Sequence, residues 1–191
     1  QRNEGPGHGS VLLHDRLEHE IHVADRDKSR FALMFLDLDG FKAVNDVFGH
    51  RAGDLLLVEV AQRIRANVGN EDTVARIGGD EFVLLARIGE PTDAARIAET
   101  LMKAIGEPIF RAKHELHVTS SIGIALYPGD GATQQELMTN ADAAMYHAKA
   151  SGRKGYAFFE ASMNSDAHEQ MQIARELRMA LSRGELVLHY Q

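Results

Sequence analysis

The sequence predicts an α+β fold in which a central, mostly antiparallel sheet of about five strands is flanked by helices. Segments with the apolar spacing of helices alternate with short apolar segments that are typical of buried strands. A Gly-Gly pair joins two of these strands, which indicates an antiparallel hairpin inside the sheet. A hairpin within the sheet favours an α+β sandwich over a doubly wound parallel fold.

The chain is long enough for one domain, with segments left over at both ends. It has 191 residues, of which 44% are hydrophobic, and this suffices for a sizeable core. Residues 1–10 are rich in glycine, histidine and polar residues and are predicted to be a disordered arm or an expression remnant, whereas residues 11–160 are predicted to form the domain. Residues 161–184 have the thin apolar stripe of a polar linker helix, and residues 185–191 resemble a strand that opens another domain.

Charge and cysteine content limit the partners and the location. The formal net charge is −7, which argues against a nucleic-acid polymer as partner because such proteins need a basic surface. The chain has no cysteine, so disulfides and thiolate metal sites are excluded and a cytoplasmic location is expected. No apolar run reaches the roughly 18 to 20 residues that cross a bilayer, so we expect a soluble domain, and a membrane-anchored parent protein stays open.

The first half of the chain is predicted to contain a helix, a central strand and two more helices. Apolar residues recur at three- and four-residue steps over residues 11–27, which predicts an amphipathic helix. Residues 30–37 are apolar almost throughout and end in an acid, as in a strand that is covered on both faces. The pattern then predicts a short helix over residues 41–48 and a longer one over residues 52–68.

The hairpin follows these helices. Residues 74–77 and 82–85 are predicted strands, and Gly78 and Gly79 between them can adopt the positive φ that a tight turn requires. Because neither residue has a Cβ atom, the turn could also serve as the floor of a site for a bulky planar or phosphorylated ligand.

The second half continues the alternation of helices and strands. Pro91 begins a helix that Gly106 ends, and a strand is predicted over residues 117–125. Residues 133–136 form a capping box that opens a helix to about residue 150. A last strand is predicted over residues 156–159.

Three acids are predicted to lie at one edge of the sheet. Asp37 ends the central strand, and Asp80 and Glu81 occupy the hairpin tip, so the three lie side by side if the two strands are neighbours. Clustered carboxylates repel one another unless cations lie between them, and hard oxygen ligands suit Mg²⁺, which often also binds substrate phosphates. The alternative is that these acids are simply solvated strand ends.

Other polar residues suggest a nucleotide beside the acids. An amide and a carboxylate, such as Asn45 and Asp54, can recognise the edge of guanine, although either residue could instead cap a helix. Lys42, Lys149 and Arg153 supply three positive charges that fit a triphosphate. Lys149 and Arg153 could equally serve to complement the dipole of the late helix.

Together these residues resemble the GGDEF family of diguanylate cyclases. The resemblance runs from about residue 11 to residue 159, and the tail from residue 175 is similar to the opening of an EAL phosphodiesterase domain. The motifs that carry it follow one another in the order of the family: residues 35–46, Gly49-His50 with Gly53-Asp54, residues 76–82, residues 121–125 and residues 141–153.

The resemblance implies a fold similar to nucleotidyl cyclase and polymerase palm folds, and a reaction. Two GTP would be condensed into cyclic di-GMP and two pyrophosphates, with Mg²⁺ or Mn²⁺ as cofactor and a homodimer as the active form. An adjacent EAL domain is implied as a partner in the longer protein. The implied residues are Asp37, Asp80 and the Leu38 carbonyl for the metal, Asp80 and Glu81 for catalysis, and Phe41, Lys42, Asn45, Asp54, Gly78, Gly79, Lys149 and Arg153 for GTP.

One departure from the family concerns product inhibition. The family's inhibitory site is an Arg-x-x-Asp motif that would end at Asp72, but Gly69 occupies the arginine position. The resemblance therefore implies loss of this feedback. Besides a competent cyclase, two other functions stay open: a silent GTP-binding module that regulates an EAL domain, and a purely structural dimerisation domain.

Overall fold

The computed structural model describes residues 8–111 and 114–163. The predicted strand at residues 185–191 and all but the first three residues of the predicted linker helix lie outside this range. None of the helices in the described part of the chain is both long and apolar enough to span a membrane.

Helices and strands alternate along the chain as predicted. The helices are α1 (His8–Asp27), α2 (Phe41–Phe48), α3 (His50–Ala66), α4 (Pro91–Gly106) and α5 (Gln134–Ala150). The strands are β1 (Arg30–Asp39), β2 (Thr73–Gly78), β3 (Glu81–Ile88), β4 (Ile109–Arg111), β5 (His114–Leu116), β6 (Thr119–Tyr127) and β7 (Tyr156–Phe158).

Five of the strands form one sheet, in the order β2-β3-β1-β6-β7. The β2–β3, β3–β1 and β1–β6 pairs are antiparallel, and β7 runs parallel to β6. The predicted α+β fold with a central, mostly antiparallel five-stranded sheet is therefore confirmed. Because β1 lies between β3 and β6, its C-terminal end is directly beside the β2–β3 hairpin.

The central strand β1 is buried on both faces, as its apolar sequence predicts. Successive side chains of a strand point to opposite faces. Phe31, Leu33 and Phe35 accordingly pack with α1 and α5, whereas Met34 and Leu36 pack with α2, α3 and α4. The result is a sheet with a helical layer on each face, and the two cores together bury nearly all of β1.

Helix α5 lies unusually close to β6. A Cβ atom added at Gly123 of β6 would lie 2.7 Å from the Cα atom of Met145 and would also overlap the backbone around Ala141. Both neighbours are main-chain atoms, which cannot move aside as a flexible side chain could. Gly123 therefore fixes the distance between the sheet and the helix that carries Lys149 and leads to Arg153.

The C-terminal end of α4 is capped by an arginine from α3. The guanidinium of Arg63 donates to the carbonyls of Ala104 at 3.0 Å, Glu107 at 2.5 Å and Pro108 at 3.0 Å. The last carbonyls of a helix lack partners within the helix, so this side chain satisfies groups that would otherwise be unpaired. Arg63 thus fastens α4 against α3.

Several predicted element boundaries were wrong: α3 spans residues 50–66 rather than 52–68, and β3 ends at Ile88 rather than at residue 85. Helix α1 begins at His8, because an established helix extends by single residues at little cost even without an apolar pattern. Strand β6 begins at Thr119 and ends at Tyr127 rather than spanning residues 117–125. The two-stranded sheet of β4 and β5 was not predicted, since strands of three residues are too short to show alternation.

Candidate functional site

The acids of β1 and the hairpin meet at the edge of the sheet. Asp37 pairs with Glu81 in the β1–β3 register, so the predicted neighbourhood of the two strands is confirmed. The Leu38 N–H donates to the Asp80 carbonyl at 3.3 Å. The N–H and C=O of one strand residue point to the same side, so the Leu38 carbonyl also faces the hairpin.

The hairpin turn uses only one of its two glycines for a positive φ. Gly79 has a φ of +47°, whereas Gly78 pairs with Glu81 and remains part of the ladder. A Cβ atom at either glycine would meet no atom within 4 Å, so the face of the turn is open to a ligand. Arg76 donates to the Gly79 carbonyl at 2.9 Å and holds the turn in place.

Two of the three predicted cations contact the acids of β1 directly. The ammonium of Lys149 lies 2.7 Å from Asp37, and the guanidinium of Arg153 lies 3.9 Å from Asp39. Asp37 and Asp39 share the α5 face of the strand, which explains why Asp37 meets a residue in the last turn of α5 and Asp39 meets one just after the helix. The third cation, Lys42, is exposed on the first turn of α2.

Asp39 is the centre of a polar network that was not predicted. Its carboxylate accepts hydrogen bonds from the hydroxyls of Thr119 at 2.9 Å and Ser121 at 2.8 Å, and from the Lys154 N–H at 3.2 Å. This network ties together the end of β1, the start of β6 and the segment after α5. The spacing of two residues between Asp37 and Asp39 could have indicated this role, because it puts both acids on the same face of β1.

The electrostatics of the site reflect crowded, partly desolvated acids. Burial, followed by repulsion from Asp37, raises the pKa of Asp80. Burial also raises the pKa of Glu81, and Asp37, Asp142 and Asp80 add to the effect. Burial raises the pKa of Asp142 on α5 as well, against the opposing influence of Lys149. Asp142 has no assigned role in the predicted site, because its environment depends on how α5 packs against the sheet.

The predicted guanine-binding pair lies where α2 meets α3. Gly53 is buried, and a Cβ atom there would overlap the Asn45 amide, with the Asn45 Cγ atom at 2.9 Å and the Phe41 Cζ atom at 3.2 Å. The side chains of Asn45 and Phe41 therefore both lie against the first turn of α3 at Gly53, the residue before Asp54. Asp54 is exposed and can reach a ligand from the helix surface.

The donor set at the sheet edge suits a hard divalent cation that also binds substrate phosphates. Among residues 8–111 and 114–163, no three His, Asp or Glu side chains are grouped to hold a metal ion. Asp37, Asp80 and the Leu38 carbonyl supply two carboxylates and one neutral oxygen. Mg²⁺ typically takes only one or two carboxylates and completes its shell with water and substrate phosphates, so the residues present fit a nucleotide-bound ion.

The fold and this acid-bearing hairpin define a palm-like nucleotide cyclase class of domain. The chain belongs to the GGDEF family: the family model described as "Diguanylate cyclase, GGDEF domain" matches residues 10–155. The fold agrees with the solved structure of an N-terminally truncated mutant of TpbB (YfiN) from Pseudomonas aeruginosa that comprises only the GGDEF domain. That chain has a TM-score of 0.80 and 36% identity, over 83% of this chain and 93% of the other.

Curated relatives of this chain include larger signalling proteins. The bifunctional diguanylate cyclase/cyclic di-GMP phosphodiesterase MucR of P. aeruginosa is 64% identical over 95% of this chain and 26% of its own length. The cyclic di-GMP phosphodiesterase NbdA of the same organism is 43% identical over 84% of this chain and 20% of its own length. The chain thus spans about a quarter or less of these relatives.

Proposed function

We propose that this domain is a diguanylate cyclase that condenses two GTP into cyclic di-GMP and two pyrophosphates. The observation that carries the proposal is the pairing of Asp37 with Glu81, which brings the acids of β1 and the hairpin together beneath an open glycine turn. Family membership supports the same reaction. Because GTP is the substrate, the domain would act in the cytoplasm.

Asp37, Asp80 and the Leu38 carbonyl would hold the proposed Mg²⁺ or Mn²⁺. When bound, this ion would neutralise phosphate charge and lower the pKa of the attacking 3′-hydroxyl. Burial and neighbouring acids raise the pKa of Glu81, which makes its carboxylate a better proton acceptor near neutral pH. Glu81 is therefore the proposed acidic partner in the reaction.

Recognition of GTP would be divided between two regions. Asn45 and Asp54 at the α2–α3 junction would bind the guanine edge, by donating to its carbonyl and accepting from its N–H groups. Lys42, Lys149 and Arg153 would bind the phosphates.

Three further residues would complete this site. Phe41 would contribute a buried ring next to Gly53, and Gly78 and Gly79 would form the open floor at the hairpin. Each domain would hold one GTP, so two domains must face each other for each 3′-hydroxyl to reach the other nucleotide. The proposed active form is therefore a homodimer.

The experiment compares the wild-type chain with Asp80→Ala in the presence of GTP and Mg²⁺, with cyclic di-GMP measured by chromatography. Glu71→Ala is the matched control, because Glu71 is an exposed acid near the same hairpin whose side chain is 82% accessible. We expect product from the wild type and the control and none from Asp80→Ala. Equal product from all three would refute the assignment of the acids.

A second candidate is a silent GTP-binding module that regulates an adjacent EAL phosphodiesterase. The observation in its favour is that the similar protein NbdA is named as a phosphodiesterase and MucR as bifunctional. Tight GTP binding without product, in a fusion that enforces dimerisation, would favour this candidate. Neither binding nor product would favour a structural dimerisation domain.

We also propose that this cyclase lacks the usual product inhibition. Asp72 accepts a hydrogen bond from the Gly69 N–H at 2.7 Å, and Arg65 donates to the carbonyls of Asp72 at 2.8 Å and Asn70 at 3.2 Å. The Asp72 carboxylate and the Arg65 guanidinium therefore form hydrogen bonds that stabilise the loop of residues 69–72.

The variant Gly69→Arg tests the proposed loss of product inhibition. The site can accept a side chain, because Gly69 does not have a positive φ and only the Asp72 side chain, at 3.1 Å, lies close to its Cβ position. We expect cyclic di-GMP to inhibit Gly69→Arg noncompetitively and to leave the wild type unaffected. Strong noncompetitive inhibition of the wild type would contradict the proposal.

A further inference from the structure

A cavity of about 530 Å³ lies between the second half of α4 and the start of β6. None of the twelve residues assigned above to metal, catalysis or GTP lines it. Its walls combine apolar, hydroxyl-bearing and charged side chains. The lining residues are Glu99, Met102, Lys103, Gly106, His117, Val118, Thr119, Ser120, Lys154 and Tyr156.

The cavity contains a polar group that the protein itself does not satisfy. Ser120 is only 1% exposed, and its hydroxyl has no hydrogen-bond partner among the described residues. A buried hydroxyl without a partner destabilises a fold, so the Ser120 hydroxyl calls for a partner from outside the protein chain, such as a water molecule or a ligand. Because Ser120 lines the cavity, a ligand there is a suitable partner for its hydroxyl.

The charge around the cavity favours an anion. Lys103 on α4 and Lys154 after α5 are both exposed at its rim. Glu99, the acid among the lining residues, accepts a hydrogen bond from the Tyr156 hydroxyl at 3.1 Å. With two lysines and one glutamate, the lining has a small net positive charge, in contrast with the net charge of −7 of the whole chain.

We propose that this cavity binds a small organic anion, either a phosphate ester or a carboxylate, that carries a flat apolar group. Lys103 and Lys154 would bind the anionic group, Ser120 would donate to it, and Met102, Val118 and Tyr156 would pack against the apolar group. The volume is sufficient for a molecule of this size, since ligand pockets of about 300 to 1,000 Å³ hold drug-sized compounds.

Two lining residues connect the cavity to the end of β1. Thr119 and the Lys154 N–H both donate to Asp39, which is two residues from Asp37 on the same face of the strand. Arg153, in ion-pair contact with Asp39, precedes Lys154, and both have the positive φ that is uncommon outside glycine. A ligand that binds the Lys154 side chain would therefore alter the surroundings of Asp39, and the cavity would act as a regulatory site.

The test is a titration of the ¹⁵N-labelled chain, without nucleotide, with phenyl phosphate and with benzoate, followed by amide chemical shifts. Benzyl alcohol is the neutral comparison. With at least one of the two anions, we expect saturable chemical-shift changes at Lys103, Val118, Lys154 and Asp39. The anion that binds more tightly shows whether the cavity prefers a phosphate ester or a carboxylate. Since no GTP is present, the result is independent of the proposed cyclase activity.

Variants make the assignment specific. Ser120→Ala and Lys103→Gln should each weaken binding about tenfold, as expected for loss of a hydrogen bond to a charged group, while Lys28→Gln, an exposed lysine outside the cavity, should not. Ser120→Ala should fold at least as stably as the wild type, because it removes an unpaired buried hydroxyl. The proposal is overturned if neither anion gives saturable shifts or if benzyl alcohol binds equally well. It is also overturned if the shifts fall only at Asn45 and Asp54, or if Ser120→Ala and Lys103→Gln bind the anions as tightly as the wild type.

Discussion

Replacing Gly53 with alanine tests whether Asn45 recognises guanine. The added Cβ atom would lie 2.9 Å from the Asn45 Cγ atom and 3.2 Å from the Phe41 ring, and would overlap the Asn45 amide oxygen. Contacts under about 3 Å between such carbon atoms are strongly repulsive, so the Asn45 side chain has to rotate away. The fold should survive, because alanine favours a helix over glycine by about 1 kcal/mol and this gain offsets part of the strain.

The expected effect is on nucleotide affinity. Loss of one amide-to-carbonyl hydrogen bond costs about 1 kcal/mol, and more if the guanine carbonyl is left unpaired, so GTP should bind about tenfold more weakly. Calorimetric titration with a non-hydrolysable GTP analogue measures this, and the corresponding ATP analogue shows whether selectivity falls as well. Gly106→Ala is the matched control, because its Cβ atom would meet nothing within 4 Å in helix α4.

Two results would refute the reasoning in different ways. Unchanged GTP affinity together with a displaced Asn45 amide resonance would show that Asn45 does not bind guanine. An unchanged Asn45 resonance would show that Gly53 does not restrict its side chain. Weaker binding by Gly106→Ala as well would point to a general effect of helix substitution.

Three further predictions concern the scaffold. Gly123→Ala should lower the free energy of unfolding, measured by urea denaturation, by about 3 kcal/mol, because its Cβ atom would lie 2.7 Å from the Met145 backbone. A change under about 0.5 kcal/mol would mean that α5 can move away from the sheet. Arg63→Ala should cost about 2 to 3 kcal/mol in the same assay, because it uncaps α4, and equal stability would show that solvent replaces the guanidinium. Hydrogen bonds from the Ala132 and Thr133 N–H groups lower the pKa of Glu136 below its ordinary value of 4.5. The contribution of Glu136 to stability is therefore full above pH 4.5 and is lost as the pH falls through the lowered pKa. Glu136→Ala should therefore be destabilised at pH 7 but match the wild type in strong acid, and a pH-independent difference would contradict this.

The sequence predicted the parts of the fold that follow local rules. The apolar run of β1, the glycine hairpin and the capping box of α5 each depend on a few adjacent residues, and each formed where it was expected. From the end of β1 and the hairpin, the sequence also predicted that Asp37 and Glu81 become neighbours.

The rest depends on contacts between distant segments. Asp39 gains its role only when the start of β6 and the segment after α5 reach it, 80 and 115 residues further along the chain. The raised pKa of Asp142 depends on how α5 packs, and the cavity at Ser120 depends on the position of α4 over the sheet. Periodicity within single segments contains none of this information.

The ion pair between Asp37 and Lys149 has a consequence for the order of ligand binding. In the structure the lysine occupies one oxygen of the carboxylate proposed to hold the metal, at 2.7 Å. A divalent cation at Asp37 would compete with this lysine and release it, and a released ammonium is better placed to bind a triphosphate. Metal and nucleotide would then bind with positive cooperativity, each raising the affinity for the other by the same factor.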